Sequence, residues 1–485
     1  MNPMTPEPPL TVLLGLPFHD LTLAETLDFC ALTMLGHQSR YLVTANVDFT
    51  TQAYDDADLK KIVFFADRVV CDGMPLVWLS RVLGYPLRER VAGSDLVPKL
   101  LERCGRQRHG VYFFGSDRAT LEAAKVIVEA RYPGLRVVGI DAPPVGAVIE
   151  WDNDALGARM RASGAQLLLV CLGCPKQERW IFAHHRETGI PLSIGVGASL
   201  DFITGKQQRA PRWMQKSGTE WFWRMANSPK RLAHRYRKDL VFLLRAAWQQ
   251  ARAQRRRKGI AAPPQPRPHL TIQDPTLIRL EWFGALRQRG LDGAPVPDQI
   301  TAPVLLDASQ VAYMDSSGLG RLAVLIRRCR TAQQLLVVVQ PSEAFKALVR
   351  DVRMDSLFLM VDSDADAVRR VAAHLASGGL SKEAEDGVVW VAFNRSLDAL
   401  YYDEMMSILD DAIADSTGLR VLVVDLQDVA FLDSRAVGGL IRTWKTMSST
   451  GGSMYLARAN PAVREIIALL RLDKVLAEWK GVLPP

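Results

Sequence analysis

The sequence predicts an α/β chain: a Rossmann-like, mostly parallel sheet with helices on both faces, followed by two smaller α/β modules. Three observations predict it. First, six apolar runs punctuate the first 200 residues: YLVTAN (41–46), RVVCDG (68–73), VYFFGS (111–116), LRVVGI (135–140), AQLLLVCLG (165–173) and PLSIGVGA (191–198). Amphipathic stretches separate several of them, and continuous apolar strands alternating with helices belong in a parallel sheet covered on both faces. Second, GIAAPPQPRPHL (259–270) is Pro-rich and polar, and reads as a semi-rigid linker. Third, the chain then repeats itself. VLLDASQVAYMDSSGLGRLAVLIRR (304–328) matches VLVVDLQDVAFLDSRAVGGLIRTWK (421–445). Each copy is an apolar strand, a polar turn, a short apolar piece, then Asp-Ser and an amphipathic helix. A further strand follows each, LLVVV (335–339) and MYLA (454–457), and then another helix.

The 485 residues exceed one hydrophobic core and suit two to four domains. The pattern divides them into a first domain over 11–223, a basic segment over 224–258, the linker, and modules over 271–380 and 385–483. The six cysteines are scattered, as expected of free thiols in a reducing compartment. The start, MNPMTPEPPL, lacks the pattern of a signal peptide, and no apolar run approaches the ~20 residues of a spanning helix. A cytoplasmic protein, peripheral at the inner membrane face, is therefore expected.

The net charge of +8 is concentrated. From Arg224 to Lys258 there are twelve Lys or Arg and one acid, Asp239, so this segment carries +11 and the remainder sums to −3. Leu232, Tyr236, Leu240, Leu243, Leu244, Ala247 and Trp248 recur at helical spacing within it. Such a helix can lie on an anionic membrane, or pack on its own domain with a solvated basic face. No nucleic-acid module accompanies the charge, so nucleic acid is not an expected partner.

Group transfer needs a base, a grip on the leaving group and charge stabilisation. Asp72 ends a strand, where parallel folds place their sites, but it could equally cap the next helix. Thr44 and Asn46 end another strand with the same ambiguity. Ser116 or Asp117 can cap the helix after VYFFGS, whose N-terminus could receive a phosphate. In LGCPKQERW (172–180), Lys176 and Gln177 open a helix and can aim donors into a site. Cys171 and Cys174 read as buried thiols, since no second pair or His cluster accompanies them. The strings Asp56/Asp58 and Asp152/Asp154 lie away from strand ends and read as surface charge. No metal and no cofactor are expected.

Seven ordered motifs carry a family resemblance: TAN, CDGMPLVW, ERVAGSDL, LGCPKQERW, GVGASLDFITGKQQRAP, EWFWRM and SPKRLAHRYRKD. Over about residues 11–240 the chain resembles the WecG/TagA/CpsF glycosyltransferases (family 26). The resemblance implies an inverting, metal-independent enzyme that moves a sugar, often N-acetylmannosamine, from a UDP-sugar donor to a polyprenyl-diphosphate-linked acceptor. It implies that Asp72 is the catalytic base and that Thr44, Asn46 and Gln177 line the pocket. It also implies an Arg-rich appendage closing over the site at the membrane. The matching arginines are Arg209, Arg212, Arg224, Arg231, Arg235 and Arg237. Ala45 and Val47 depart from the T-P-N-like string usual in the family, which bears on sugar selectivity.

The repeated modules resemble STAS domains, the fold of anti-sigma-factor antagonists. MDSSGLG (314–320) carries the first match and LDSRAVGG (432–439) the second. The resemblance implies that Ser316 and Ser434 are phosphorylation positions read by a kinase or an anti-sigma-factor-like partner. Both serines could instead be plain helix caps. The modules would form a regulatory or docking tail whose removal leaves basal transfer intact. The competing class is a signalling protein of the antagonist type with an inactive transferase domain.

Overall fold

In the computed structural model, residues 8–211, 237–248, 270–286, 295–376 and 382–459 are described, apart from short gaps; of 212–236 and 460–485 only isolated positions are. The chain divides into two compact units, Met1–Asp362 and Ser363–Pro485.

The first unit opens with an antiparallel hairpin, β1 (Leu10–Leu13) and β2 (Leu16–His19). Leu14 and Gly15 turn it, both at positive φ. Helix α1 (Leu23–Met34) follows, started by a capping box in which Thr22 and Glu25 satisfy each other's backbone amides. Then come β3 (Arg40–Ala45), α2 (Val47–Asp55), α3 (Ala57–Phe64), β4 (Arg68–Cys71), α4 (Met74–Val82) and α5 (Gly93–Gln107). The next segment holds β5 (Gly110–Gly115), α6 (Arg118–Arg131), β6 (Arg136–Asp141) and α7 (Asn153–Ala162). It ends with β7 (Leu167–Cys171), α8 (Lys176–His184), β8 (Leu192–Gly195) and α9 (Ser199–Ile203).

All six predicted strands form, in one wholly parallel sheet of order β4-β3-β8-β7-β5-β6. Their apolar runs are continuous because both faces are covered: every residue of β5, β7 and β8 is buried. Aligned parallel strands put their carboxyl ends on one edge, and the loops leaving that edge carry the motifs. A further helix, α10, spans residues 237–248.

The first repeat copy supplies β9 (Leu270–Asp274), β10 (Leu277–Leu286), β11 (Val304–Met314), α11 (Ser316–Thr331), β12 (Leu336–Val339), α12 (Glu343–Asp351) and β13 (Leu359–Val361). Its sheet is a β9–β10 antiparallel pair extended by parallel β11, β12 and β13. The second unit begins with α13 (Asp364–Ala376), then β14 (Lys382–Glu385), β15 (Val388–Ala392), α14 (Tyr402–Ala414) and β16 (Val421–Asp425). It closes with α15 (Ser434–Ser449), β17 (Ser453–Ala457) and β18 (Ala477–Glu478). Its strand order and pairing directions repeat those of the first copy.

Within the first unit the first copy packs directly against the transferase domain. Leu10, Val12 and Phe64 from the transferase side join the copy's own core with Trp282, Leu322 and Phe345. A Cβ at Gly320 would lie 2.2 Å from the Leu10 carbonyl oxygen, so α11 rests its backbone on β1. The buried Lys60 ammonium donates to the Val352 carbonyl at 2.9 Å, and Arg327 donates to the Asp67 carbonyl at 2.9 Å. The Arg330 guanidinium lies 3.7 Å from the Phe65 ring centroid. The hairpin, which supplies Leu10 and Val12 to these contacts, has no strong sequence signal. The linker itself falls almost wholly outside the described residues.

Truncation after Lys258 would bare three apolar side chains whose burial is worth about 5 kcal/mol together. The 1–258 fragment is expected to aggregate, or to melt at least 10 °C below the 1–362 fragment, in size-exclusion and thermal-denaturation runs. A monomeric 1–258 fragment with an unchanged melt would contradict the packing.

Candidate active site

The loops at the carboxyl edge form one arc. Asp72 follows β4 and takes its register from β3, its amide donating to the Ala45 carbonyl at 2.9 Å. Gly73, which has no side chain to cap with, precedes α4. The Asp72 Oδ2 accepts from the Gly93 amide at 3.3 Å, the first residue of α5. Helix α5 has Ala92 at its cap position and no side-chain cap of its own. The positive end of a helix therefore faces a half-buried carboxylate. A Cβ at Gly93 would lie 3.6 Å from both Thr44 Oγ1 and Ser199 Oγ, so Thr44, Asp72 and Ser199 gather round one glycine.

The arc continues through Gln177. Its Oε1 accepts from the Gly173 amide at 3.2 Å and from the Gly197 amide at 3.0 Å. It thus ties the loop after β7 to the loop after β8. Its Nε2 donates to Glu178 Oε1 at 2.7 Å. A Cβ at Gly195 would lie 2.7 Å from that Nε2, so glycine is required there. Glu178 was not singled out from the sequence, where it is one more first-turn acid. It is buried, its Oε2 has no hydrogen-bond partner, and desolvation pushes its carboxyl up to about 7.

Other expected residues are placed differently. Asn46 caps α2, its Oδ1 accepting from the Phe49 amide at 2.9 Å. Lys176 turns to the Gly146 carbonyl at 2.6 Å and sits 4.4 Å from the Trp151 ring centroid. Asp117, rather than Ser116, caps α6, accepting from the Thr120 amide at 2.8 Å and pairing with Lys206 at 2.8 Å. That helix start already has its carboxylate. Asp56 and Asp152 cap α3 and α7, and Asp56 also pairs with Arg179 at 2.6 Å. All six cysteines are free thiols, and burial pushes those of Cys71 and Cys104 up to about 12.

Arg209 belongs to a four-charge cluster on the first turn of α5. It donates to Asp95 Oδ1 at 2.8 Å and to the Ser94 carbonyl at 3.1 Å. Arg90 donates to Asp95 Oδ2 at 2.7 Å and to Glu220 Oε2 at 3.3 Å. Two arginines and two carboxylates thereby brace the helix whose first amide holds Asp72. Arg90 and Glu220 escaped the sequence reading because partners so distant in the chain leave no local pattern. Arg212, Arg224, Arg231 and Arg235 lie outside the described residues. Arg237 is exposed on α10.

Helix α10 has an outward apolar stripe. Leu240, Val241, Leu244 and Trp248 are 56%, 60%, 62% and 59% exposed, while Asp239 and Ala246 are buried and Phe242 meets Tyr54 edge-on at 5.2 Å. Leu243 and Ala247, expected on the same face, are half-buried, and Leu232 and Tyr236 are not described. Among the described residues no helix is long and apolar enough to cross a membrane. Ser316 is buried at the start of α11, where Asp315 is the cap, accepting from the Ser317 amide at 2.8 Å. Ser434 begins α15, and its side chain lies outside the described residues.

The wholly parallel six-stranded sheet with helices between its strands is of the Rossmann-like class. The chain belongs to the glycosyl transferase WecG/TagA/CpsF family, whose model matches residues 11–257. STAS-domain models match residues 278–362 and 380–481. Two relatives carry the name N-acetylglucosaminyldiphosphoundecaprenol N-acetyl-beta-D-mannosaminyltransferase. That of Bacillus spizizenii is 27% identical over 195 residues, 40% of this chain and 74% of its own. That of Staphylococcus aureus is 26% identical over 238 residues, 48% of this chain and 91% of its own. A solved anti-sigma factor antagonist from Mycobacterium paratuberculosis aligns at 27% identity over 21% of this chain and 86% of its own, with a TM-score of 0.20.

Glu178 gives a pH prediction. Its folded-state value of about 7 lies above the usual 4.5, so the folded chain holds the extra proton between those values. Stability therefore falls as pH rises through that window and is level above it. Glu178→Gln keeps the acceptor for Gln177 and removes the titration. Relative to the variant, the native chain should lose up to about 3 kcal/mol between pH 4.5 and 8 in denaturant titrations. Parallel pH curves would contradict the burial argument.

Proposed function

We propose that the chain is an inverting glycosyltransferase that passes a sugar from a UDP donor to a polyprenyl-diphosphate-linked acceptor at a membrane surface. The observation that carries this reading is the Asp72 carboxylate at the carboxyl edge of the sheet, held by the Gly93 amide beside Thr44. An ionised carboxylate has about four lone-pair sites, so Asp72 can hold the Gly93 amide and still accept an incoming hydroxyl. Asp72 accepts the acceptor's hydroxyl proton as that oxygen attacks C1 from the face opposite the departing diphosphate. One displacement inverts the anomeric centre.

The departing UDP needs positive charge. The Arg-rich segment 224–237 is rich in guanidinium groups, which bind diphosphate oxygens in bidentate fashion. Arg224, Arg231 and Arg235 are assigned this work, replacing a divalent cation. Arg209 braces α5 within its ion cluster and Gln177 fastens the loop after β7 to the loop after β8. The relatives' names favour an N-acetylmannosamine donor and an N-acetylglucosaminyl-diphosphate lipid acceptor. Such an acceptor is presented at the bilayer face. The α10 stripe of Leu240, Leu244 and Trp248, flanked by Arg237, Lys238 and Arg245, suits insertion there from the cytoplasmic side. The STAS modules serve protein docking and regulation.

Asp72→Asn should lower UDP release in the presence of lipid acceptor by about 10²–10⁴-fold, without added divalent cation. Turnover equal to the native enzyme would end the base assignment. Replacing Leu240, Leu244 and Trp248 together by Ser should cut co-flotation with anionic vesicles at least about tenfold, and added salt should weaken native binding. Flotation unaffected by either change would remove α10 from the membrane contact.

A further inference from the structure

We propose that the first STAS module is a positioning element of the transferase site, acting through Tyr85 and the strap of residues 85–93. This rests on the reading of Asp72 as the base. Tyr85 follows α4 and reaches the start of α11. Burial, and then the neighbouring Asp315 carboxylate, push the Tyr85 hydroxyl up, which sets the ring beside the start of α11. Asp315 is itself fixed, because it caps α11 through the Ser317 and Gly318 amides at 2.8 and 3.0 Å.

From that anchor the strap is pinned along its length. The Leu87 amide donates to Ser80 Oγ at 2.9 Å. Arg88 grips Asp20 at 3.0 Å and Glu25 at 2.7 Å. Arg90 enters the cluster with Asp95 and Glu220. The Val91 amide donates to the Cys71 carbonyl at 2.8 Å, and the Gly93 amide ends on Asp72. One end of the strap therefore sits on the STAS helix and the other on the candidate base. Little slack lies between them, so a shift of α11 is felt at the Gly93 amide.

The contact is particular to the first copy. Residues 316–330 of α11 include no exposed position, whereas α15 exposes Arg442, Lys445 and Thr446. In the repeat, Gly320 aligns with Gly438. A Cβ at Gly320 would strike Leu10, while one at Gly438 would meet nothing within 4 Å. The same helix face that the second copy leaves open is committed in the first copy to the transferase. A motif that reads as a docking surface for outside partners is here turned inward.

The test uses the full chain. Tyr85→Phe removes the hydroxyl and keeps the ring; Gly320→Val pushes α11 off β1. Transfer is followed across pH, with hydrogen exchange of residues 10–13 and 85–93. Tyr85→Phe should fold with an unchanged melt, lower kcat about tenfold and loosen exchange in 85–93. It should also shift the low-pH limb of kcat, because the Gly93 amide that donates to Asp72 is displaced. A mere loss of folded enzyme would not move that limb. Gly320→Val should give the same signs, more strongly, with faster exchange in 10–13; should it fail to fold, Tyr85→Phe still decides. Native kcat and pH profile in Tyr85→Phe, with Asp72→Asn inactive, would overturn the coupling. A fully active Asp72→Asn would instead overturn the base assignment, and the coupling with it.

Discussion

The hydrogen bond from the first amide of α5 to the Asp72 carboxylate is the constraint on which the candidate site depends. Ala92 cannot cap α5, so the helix takes its cap from a neighbouring strand. That exchange does two things at once. It satisfies an amide that a helix start leaves open, and it fixes an acid at the positive end of a helix dipole. The absence of a side chain at Gly93 lets Thr44 and Ser199 close in. The ion cluster of Arg90, Asp95, Arg209 and Glu220 keeps the same helix end from fraying.

Much of this was legible in the sequence, and the parts that were not have physical reasons. The six strands of the first sheet could be read because burial on both faces makes them continuously apolar. The β1–β2 hairpin could not, since its strands are four residues long and complete their burial against a module some 300 residues away. For Asp72 the choice between cap and base was posed correctly but was too narrow, because the carboxylate caps a helix that begins twenty-one residues later. Asn46 shows the local version of that ambiguity, its Oδ1 capping α2. Lys176 could be placed on the right helix but not aimed, since a long side chain follows whatever carbonyl and ring lie nearby. Glu178 carried no signal beyond its type; only burial distinguishes it.

The repeat copies show how one sequence pattern can serve two ends. Both build a five-stranded sheet with the same order and the same polarity. Periodicity predicts this sheet but not what lies on the outer side of the helix after the Asp-Ser pair. In the first copy that side is covered by the transferase hairpin; in the second the aligned glycine faces open space. Divergence at the surface, rather than in the core, separates an internal brace from a module with a face to offer.

With Asp72 as the base, the donor binds over the carboxyl edge of the six-stranded sheet and the carboxylate faces the reacting carbon. A crystal structure of the full chain with UDP tests it most directly. The account predicts the diphosphate beside the Thr44–Asp72–Gly197 arc, with the appendage arginines drawn onto it. UDP bound at the opposite edge of the sheet, or an Asp72 carboxylate turned away from the nucleotide, would contradict it.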